Sequence, residues 1–184
     1  MSYDLTVYLK ALDDSKIQQW INEIKKFDMD VEIHPDFSFS NHSGFLPFKF
    51  TVIDCPNKRL NNIELMSGFE LWINDYKPTK NIKSFWKVLF QKERRLNSIE
   101  RKLKESSKEI TFTASTQDSF EFRLAWYSAA ALANIFDGVL SDPQEGIEID
   151  GDQSINYAFE QVIKDEKAIS ENEWRIHEFK EWLG

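Results

Sequence analysis

The sequence predicts an α+β fold: a mainly antiparallel sheet of about five or six strands, helices packed largely on one face of it, and an acidic C-terminal helical segment. Three observations carry this expectation. Short runs with apolar residues at every second position recur between clusters of turn-forming residues, as in the strands of a half-buried sheet. Longer stretches repeat their apolar residues at the helical period, which gives a helix one buried stripe. The composition, 41% hydrophobic and 14% aromatic with 6 Gly and 5 Pro in 184 residues, is that of a chain with a core to bury. A single domain over 1–184 accommodates this length, with 152–184 as an appended helical segment in the alternative division.

The elements follow in chain order. Leu5, Val7 and Leu9 alternate with Thr6, Tyr8 and Lys10 and predict a first strand; Asp13, Asp14 and Ser15 then supply N-cap chemistry. Ile17, Trp20, Ile21, Ile24 and Phe27 share one face of the helix that should follow. Val31 to Ile33 predicts a second strand, His34 to Gly44 a loop, Phe48 to Ile53 a third strand, and Phe69 to Ile73 a fourth beyond the turn-rich Pro56 to Asn62. Parallel pairing around the first strand and helix is an alternative arrangement. From Ile82 to Ser106, Phe85, Trp86, Leu89, Phe90, Leu96, Ile99 and Leu103 predict a long helix whose other face is basic.

Ile110 to Thr113 is strand-like. Asp118 and Glu121 form a capping-box pattern for a helix through LAWYSAAALANIF, where Ala125, Ala129 and Ala133 leave room for close backbone packing and Gly138 is placed as the C′ residue. Val139 and Leu140 should pair with Ile147 to Ile149 across a turn at Asp142 and Pro143. Ser154 to Leu183 predicts one or two acidic helices, the second restarting at Ser170 with Glu173 as a capping box.

Charge is sorted along the chain. Lys77 to Lys108 holds eleven basic and three acidic residues, whereas Gly138 to Gly184 holds four basic and twelve acidic, so the formal charge of −8 conceals a bipolar molecule. Such sorting bears on partners and association rather than on fold. Cys55 is the only cysteine, which excludes an intramolecular disulfide and a thiolate metal cluster. The opening MSYDLTVYLKALDD has no basic leader followed by an apolar core, and no apolar run approaches the roughly 20 residues of a membrane helix, so a cytoplasmic protein without membrane contact is expected.

No constellation in the sequence specifies a reaction. His34, Asp36 and His42 could contribute metal ligands, but their spacing fits no zinc signature, and Phe37 and Phe39 point instead to a segment anchored by aromatics. Asp142, Glu145, Glu148, Asp150 and Asp152 offer carboxylates without the offsets of a calcium loop, so no metal and no cofactor is expected. Cys55 has no assignable base, Ser119 and Ser128 lack a nucleophile elbow, and phosphate-binding or dinucleotide glycine patterns are absent from the sequence. Nucleic-acid binding through Lys77 to Lys108 is disfavoured because the helical period places its aromatics on the apolar face and the chain is acidic overall.

The acidic C-terminal segment reads more sharply. Asp142, Glu145, Glu148, Asp150, Glu171, Glu173 and Glu178, with Trp174 and Trp182, combine negative charge with aromatic anchors, as a protein that binds a basic partner does. The stretches SGFLPFK (Ser43 to Lys49), SGFELW (Ser67 to Trp72) and AAALANIFDGVLSDPQEG (Ala129 to Gly146) resemble small uncharacterised bacterial proteins of the domain-of-unknown-function kind, some of which are immunity proteins of polymorphic toxins. The resemblance covers packing and turn segments and carries no catalytic residue over. It implies a non-enzymatic interaction protein, most concretely an immunity protein neutralising a basic toxin domain. A homodimer is an alternative association, and a small enzyme or ligand-binding domain using the 34–42 loop or the 142–152 turn is the alternative function.

Overall fold

The computed structural model describes residues 2–78, 97–115 and 117–182. The first strand, β1 (Tyr3–Leu9), lies in the interior of the sheet rather than at its edge. Leu5, Val7 and Leu9 are all fully buried, which suits a strand with neighbours on both sides. The other strands are β2 (Met29–Ile33), β3 (Gly44–Val52), β4 (Glu64–Asp75), β5 (Lys108–Ala114), β6 (Val139–Asp142) and β7 (Ile147–Asp150). Together they form a seven-stranded sheet of order β2-β3-β4-β5-β1-β6-β7 with every pair antiparallel. β1 and β2 are far apart in that order, so the parallel arrangement around the first helix does not occur.

Helix α1 (Ile17–Ile24) follows a 3-10 turn (Asp14–Lys16) capped by Asp13, and it buries Trp20, Ile21 and Ile24. Of the long basic helix expected over Ile82 to Ser106, residues 82–96 lie outside the described residues. Within them α2 (Ser98–Glu105) is helical, opened by a capping box between Asn97 and Glu100. Lys102 of α2 bonds Asp137 and Asp150, and Ser98 donates to Asp150 at 2.6 Å, so the basic and acidic segments meet here.

Helix α3 (Glu121–Ile135) is apolar around most of its circumference and is accordingly the central helix, packed on the sheet, on α1 and on α4 (Gly151–Ala168). Its N-terminus departs from the expected capping box: Asp118 Oδ1 accepts the Phe120 N–H at 2.7 Å and the helix begins at Glu121. Its C-terminus also differs. Asp137 adopts φ 51° and is the left-handed C′ residue, while the Gly138 N–H bonds Ala133 O at 2.8 Å, a Schellman ending shifted by one position. Gly138 is needed for a different reason, because a Cβ there would stand 2.6 Å from Tyr8 O. The alanines do admit a close neighbour: a Cβ at Gly151 would lie 2.4 Å from Ala133 O, and Ser154 Oγ donates to Ala130 O at 2.9 Å.

Each antiparallel strand directs alternate residues to opposite faces. Leu5, Val7 and Leu9 of β1, Leu46, Phe48 and Phe50 of β3, Phe69 and Leu71 of β4, and Ile110 and Phe112 of β5 form the face beneath α3. Burying each such side chain is worth about 1.5–3 kcal/mol. The opposite face carries Thr111, Thr113, Lys49, Glu70, and the exposed rings of Phe45 (46%) and Trp72 (43%). After α4 the chain does not restart a helix. Residues 171–173 turn, Glu173 accepts the Ser170 N–H at 3.1 Å, and the tail then runs extended, with Glu178 bridging to Leu65.

Candidate functional site

The two loops with metal-like composition are occupied by their own folding. Asp14 accepts from Ser38 Oγ, Ser40 Oγ and the Phe39 N–H, and Phe39 is buried against Trp20, so the 34–42 loop is fixed by an aspartate cap and aromatic packing. His34 Nδ1 accepts the Asp36 N–H at 3.2 Å, and His42 Nε2 lies 3.1 Å from Gly44 O, with burial lowering its pKa. Asp142 is fully buried: it accepts the Tyr3 hydroxyl at 2.7 Å and the N–H groups of Gln144 and Glu145. Asp150 is held by Lys102 and Ser98. Among the described residues no group of three or more His, Cys, Asp or Glu side chains could hold a metal ion. Cys55 is buried, which pushes its thiol up and makes it a poor nucleophile.

The remaining acidic candidates divide by role. Glu145, Glu148, Glu171, Glu173 and Glu178 are exposed. Trp174 packs tilted against Phe120 with ring centroids 5.2 Å apart, and Trp182 meets His34 and Phe179 edge-on, so these aromatics fasten the tail to the body. Of the twelve acidic residues in this segment, only Asp150 and Glu166 form ion pairs among the described residues. Glu173, with Tyr3, Asp165, Ile169 and Arg175, lines a cleft of ≈ 670 Å³ between the end of β5, the last turn of α4 and the tail. Burial raises the Asp165 carboxyl, with the neighbouring Glu166 adding to it. This surface can attract cations and accept hydrogen bonds.

A second site was not legible in the sequence. β4 is 12 residues long; among the described residues β5 pairs with its Glu70–Asp75 portion, and the backbone of the tail bonds to its Glu64–Met66 portion, through Met66 N–H to His177 O and Phe179 N–H to Glu64 O. Between them the outer edge of Ser67, Gly68 and Phe69 has no strand partner among the described residues. A cavity of ≈ 310 Å³ opens at this gap, lined on the open face by Phe45, Met66, Glu70 and Thr113 and on the helix side by Ser67, Phe69, Asp118 and Glu121. It is a window through the sheet. Gly68 lies at its rim, where a Cβ would meet the Phe45 ring at 2.8 Å and Leu46 O at 2.2 Å.

The polar atoms of the window are incompletely bonded. Ser67 (5% exposed), Asp118 (6%) and Glu121 (7%) are buried, yet Ser67 Oγ, Asp118 Oδ2 and Glu121 Oε2 have no well-formed hydrogen bond among the described residues. Burial pushes both carboxyls up. The Phe120 N–H and the adjacent Ser67 hydroxyl oppose the shift at Asp118, and the Ser115 hydroxyl opposes it at Glu121. The capping-box pattern at 118–121 was the one sequence signal touching this site. It marked the helix start and gave no sign of a cavity assembled from four separate segments.

No protein-family model, no curated protein and no solved structure matches the chain. Among the described residues no helix is long and apolar enough to cross a membrane.

Proposed function

We propose that the chain is a non-enzymatic interaction protein whose acidic C-terminal surface docks on a basic protein, most concretely an immunity-type protein that covers a toxin domain. One observation supports the reading above others: the acidic residues between Gly138 and Gly184 remain largely without ion pairs among the described residues, and two of them, Asp165 and Glu173, line a cleft. A negative surface of this kind accelerates encounter with a cationic partner and rejects acidic ones. The tail is fixed by Trp174 and by its bridge to β4, so its carboxylates are presented on an ordered segment and binding costs little ordering entropy.

The test is calorimetric titration of the full chain with the basic domain encoded beside it, at about 0.05 and 0.3 M salt. The reading expects a tight complex that weakens with salt and is lost on joint reversal of Glu171, Glu173 and Glu178 to Lys. A gene neighbourhood without a basic toxin-like domain, or a complex indifferent to both perturbations, would refute it.

A further inference from the structure

Buried oxygens with no donor are rare in folded proteins, and each costs about 1–3 kcal/mol. Among the described residues three buried oxygens without a well-formed bond, Ser67 Oγ, Asp118 Oδ2 and Glu121 Oε2, stand on one wall of one cavity, with only the nearby Ser67 and Ser115 hydroxyls to serve the two carboxyls. Beside them the lining holds the Glu70 carboxylate, the Thr113 and Ser115 hydroxyls, which can donate or accept, the Gln117 amide and the His177 ring. Three carboxyls, Glu70, Asp118 and Glu121, stand against the single imidazole of His177, so the ligand that complements this lining carries N–H donors and positive charge. An anion would meet these three carboxyls. A hard divalent ion would need about six oxygen ligands, more than these carboxyls converge to supply. The mouth carries Phe45, whose exposed ring can stack on a flat or methylene-bearing cation, and Phe69 forms an apolar wall.

We propose that the window between β4, β5 and the tail is a binding site for an organic cation, whose ammonium or guanidinium head enters past Phe45 and is received by Ser67, Asp118 and Glu121. The head group replaces the missing donors, and its alkyl stem lies along Phe45 and Met66. None of Glu171, Glu173 and Glu178 lines this cavity. The same chemistry is offered by a free alkylamine and by a Lys or Arg side chain of a bound polypeptide, and the experiment separates the two.

The test is a titration of the ¹⁵N-labelled full chain, followed by amide chemical shifts. The probes are n-butylammonium, n-butylguanidinium and the peptide Gly-Gly-Lys-Gly-Gly. Saturable shifts centred on Gly68, Ser115, Gln117 and His177 are expected with at least one probe. Saturation by the small cations identifies a free-amine site, and saturation by the peptide alone identifies a side-chain socket. Asp118→Asn retains an acceptor for the Phe120 N–H, and Glu121→Gln retains the side-chain shape; each should weaken binding at least about tenfold, equivalent to about 1.4 kcal/mol. Phe45→Ala, which removes an exposed ring, should weaken it by a smaller factor. Absence of saturable shifts with all three probes would overturn the proposal. So would undiminished affinity in the Asp118→Asn/Glu121→Gln double variant, or calcium chloride producing the same shifts at lower concentration than the organic cations. Failure here leaves the salt-sensitive protein complex untouched, because that complex is read from reversal of Glu171, Glu173 and Glu178.

Discussion

Removing the Glu166 carboxylate should be among the most damaging single changes on the helical side of the molecule. Arg123 of α3 and Glu166 of α4 form a bidentate pair, Nε to Oε1 at 2.5 Å and Nη2 to Oε2 at 2.7 Å, with side chains only 5% and 3% exposed. Glu166→Ala leaves a guanidinium, which cannot deprotonate, buried without its counter-charge, and breaking such a pair costs about 3–5 kcal/mol. Native stabilities lie near 5–15 kcal/mol, so a large share of the total is at risk. With a urea slope of about 2–3 kcal/mol per molar, the unfolding midpoint should fall by about 1–2 M. The double change Arg123→Met with Glu166→Leu removes both charges and should recover most of the loss, because a well-packed apolar pair does about as well as a buried ion pair. Urea melts of wild type, both single variants and the double variant close the cycle. A midpoint shift below about 0.5 M for Glu166→Ala, or a double variant as damaged as the sum of the singles, would refute the argument.

Burial raises Asp118 and Glu121 above their ordinary values of 3.8 and 4.5, so between those values and the raised ones the folded chain holds more protons than the unfolded chain. Their contribution is present at low pH and is lost as pH rises through the raised values; Asp118→Asn should flatten this decline and stabilise the protein at neutral pH, as thermal melts from about pH 4 to 8 would show. Asp14, held down by the Ser38 hydroxyl, and Asp75, held down by Lys108, contribute with the opposite sign, and their stabilisation is lost only as pH falls below 3.8. Gly151→Ala should destabilise by about 1–3 kcal/mol in spite of the helical preference of alanine, since its Cβ would stand 2.4 Å from Ala133 O; a melting temperature equal to wild type would contradict the packing described between α3 and α4.

The sheet was largely legible in the sequence because alternation is a local signal. Every strand expected from the pattern occurs, and Val139 and Leu140 do pair with Ile149 and its neighbours as the turn at Asp142 suggested. What alternation understated was length. β4 begins at Glu64, five residues before Phe69, because Ser67 and Gly68 interrupt its apolar rhythm where the sheet opens into the window. The tail misled for a different reason. Ser170 and Glu173 do make half of a capping box, but Trp174 and Ile176 are spaced for a strand, and their burial against the body keeps the segment extended. Glu121 and Asp118 carried a helix-start signature, and nothing local announced that both would be sealed against Ser67, more than fifty positions earlier. The C-terminal carboxylates were separable only in three dimensions: Asp142 and Asp150 serve internal bonds, while Glu171 and Glu178 face solvent.

The interior position of β1 has a consequence for biosynthesis. Tyr8 pairs with Glu109, 101 residues later, and on its other edge with Val139. At translation rates of about 5–20 residues per second, the first strand waits about 5–20 s before its nearer partner has been made. Throughout that interval Leu5, Val7 and Leu9 form a bare β-prone apolar stripe with both edges unpaired. The nascent chain should therefore depend on chaperone shielding and be prone to aggregate when synthesis outpaces it, and permuted versions in which β1 follows β5 should mature faster than the natural order.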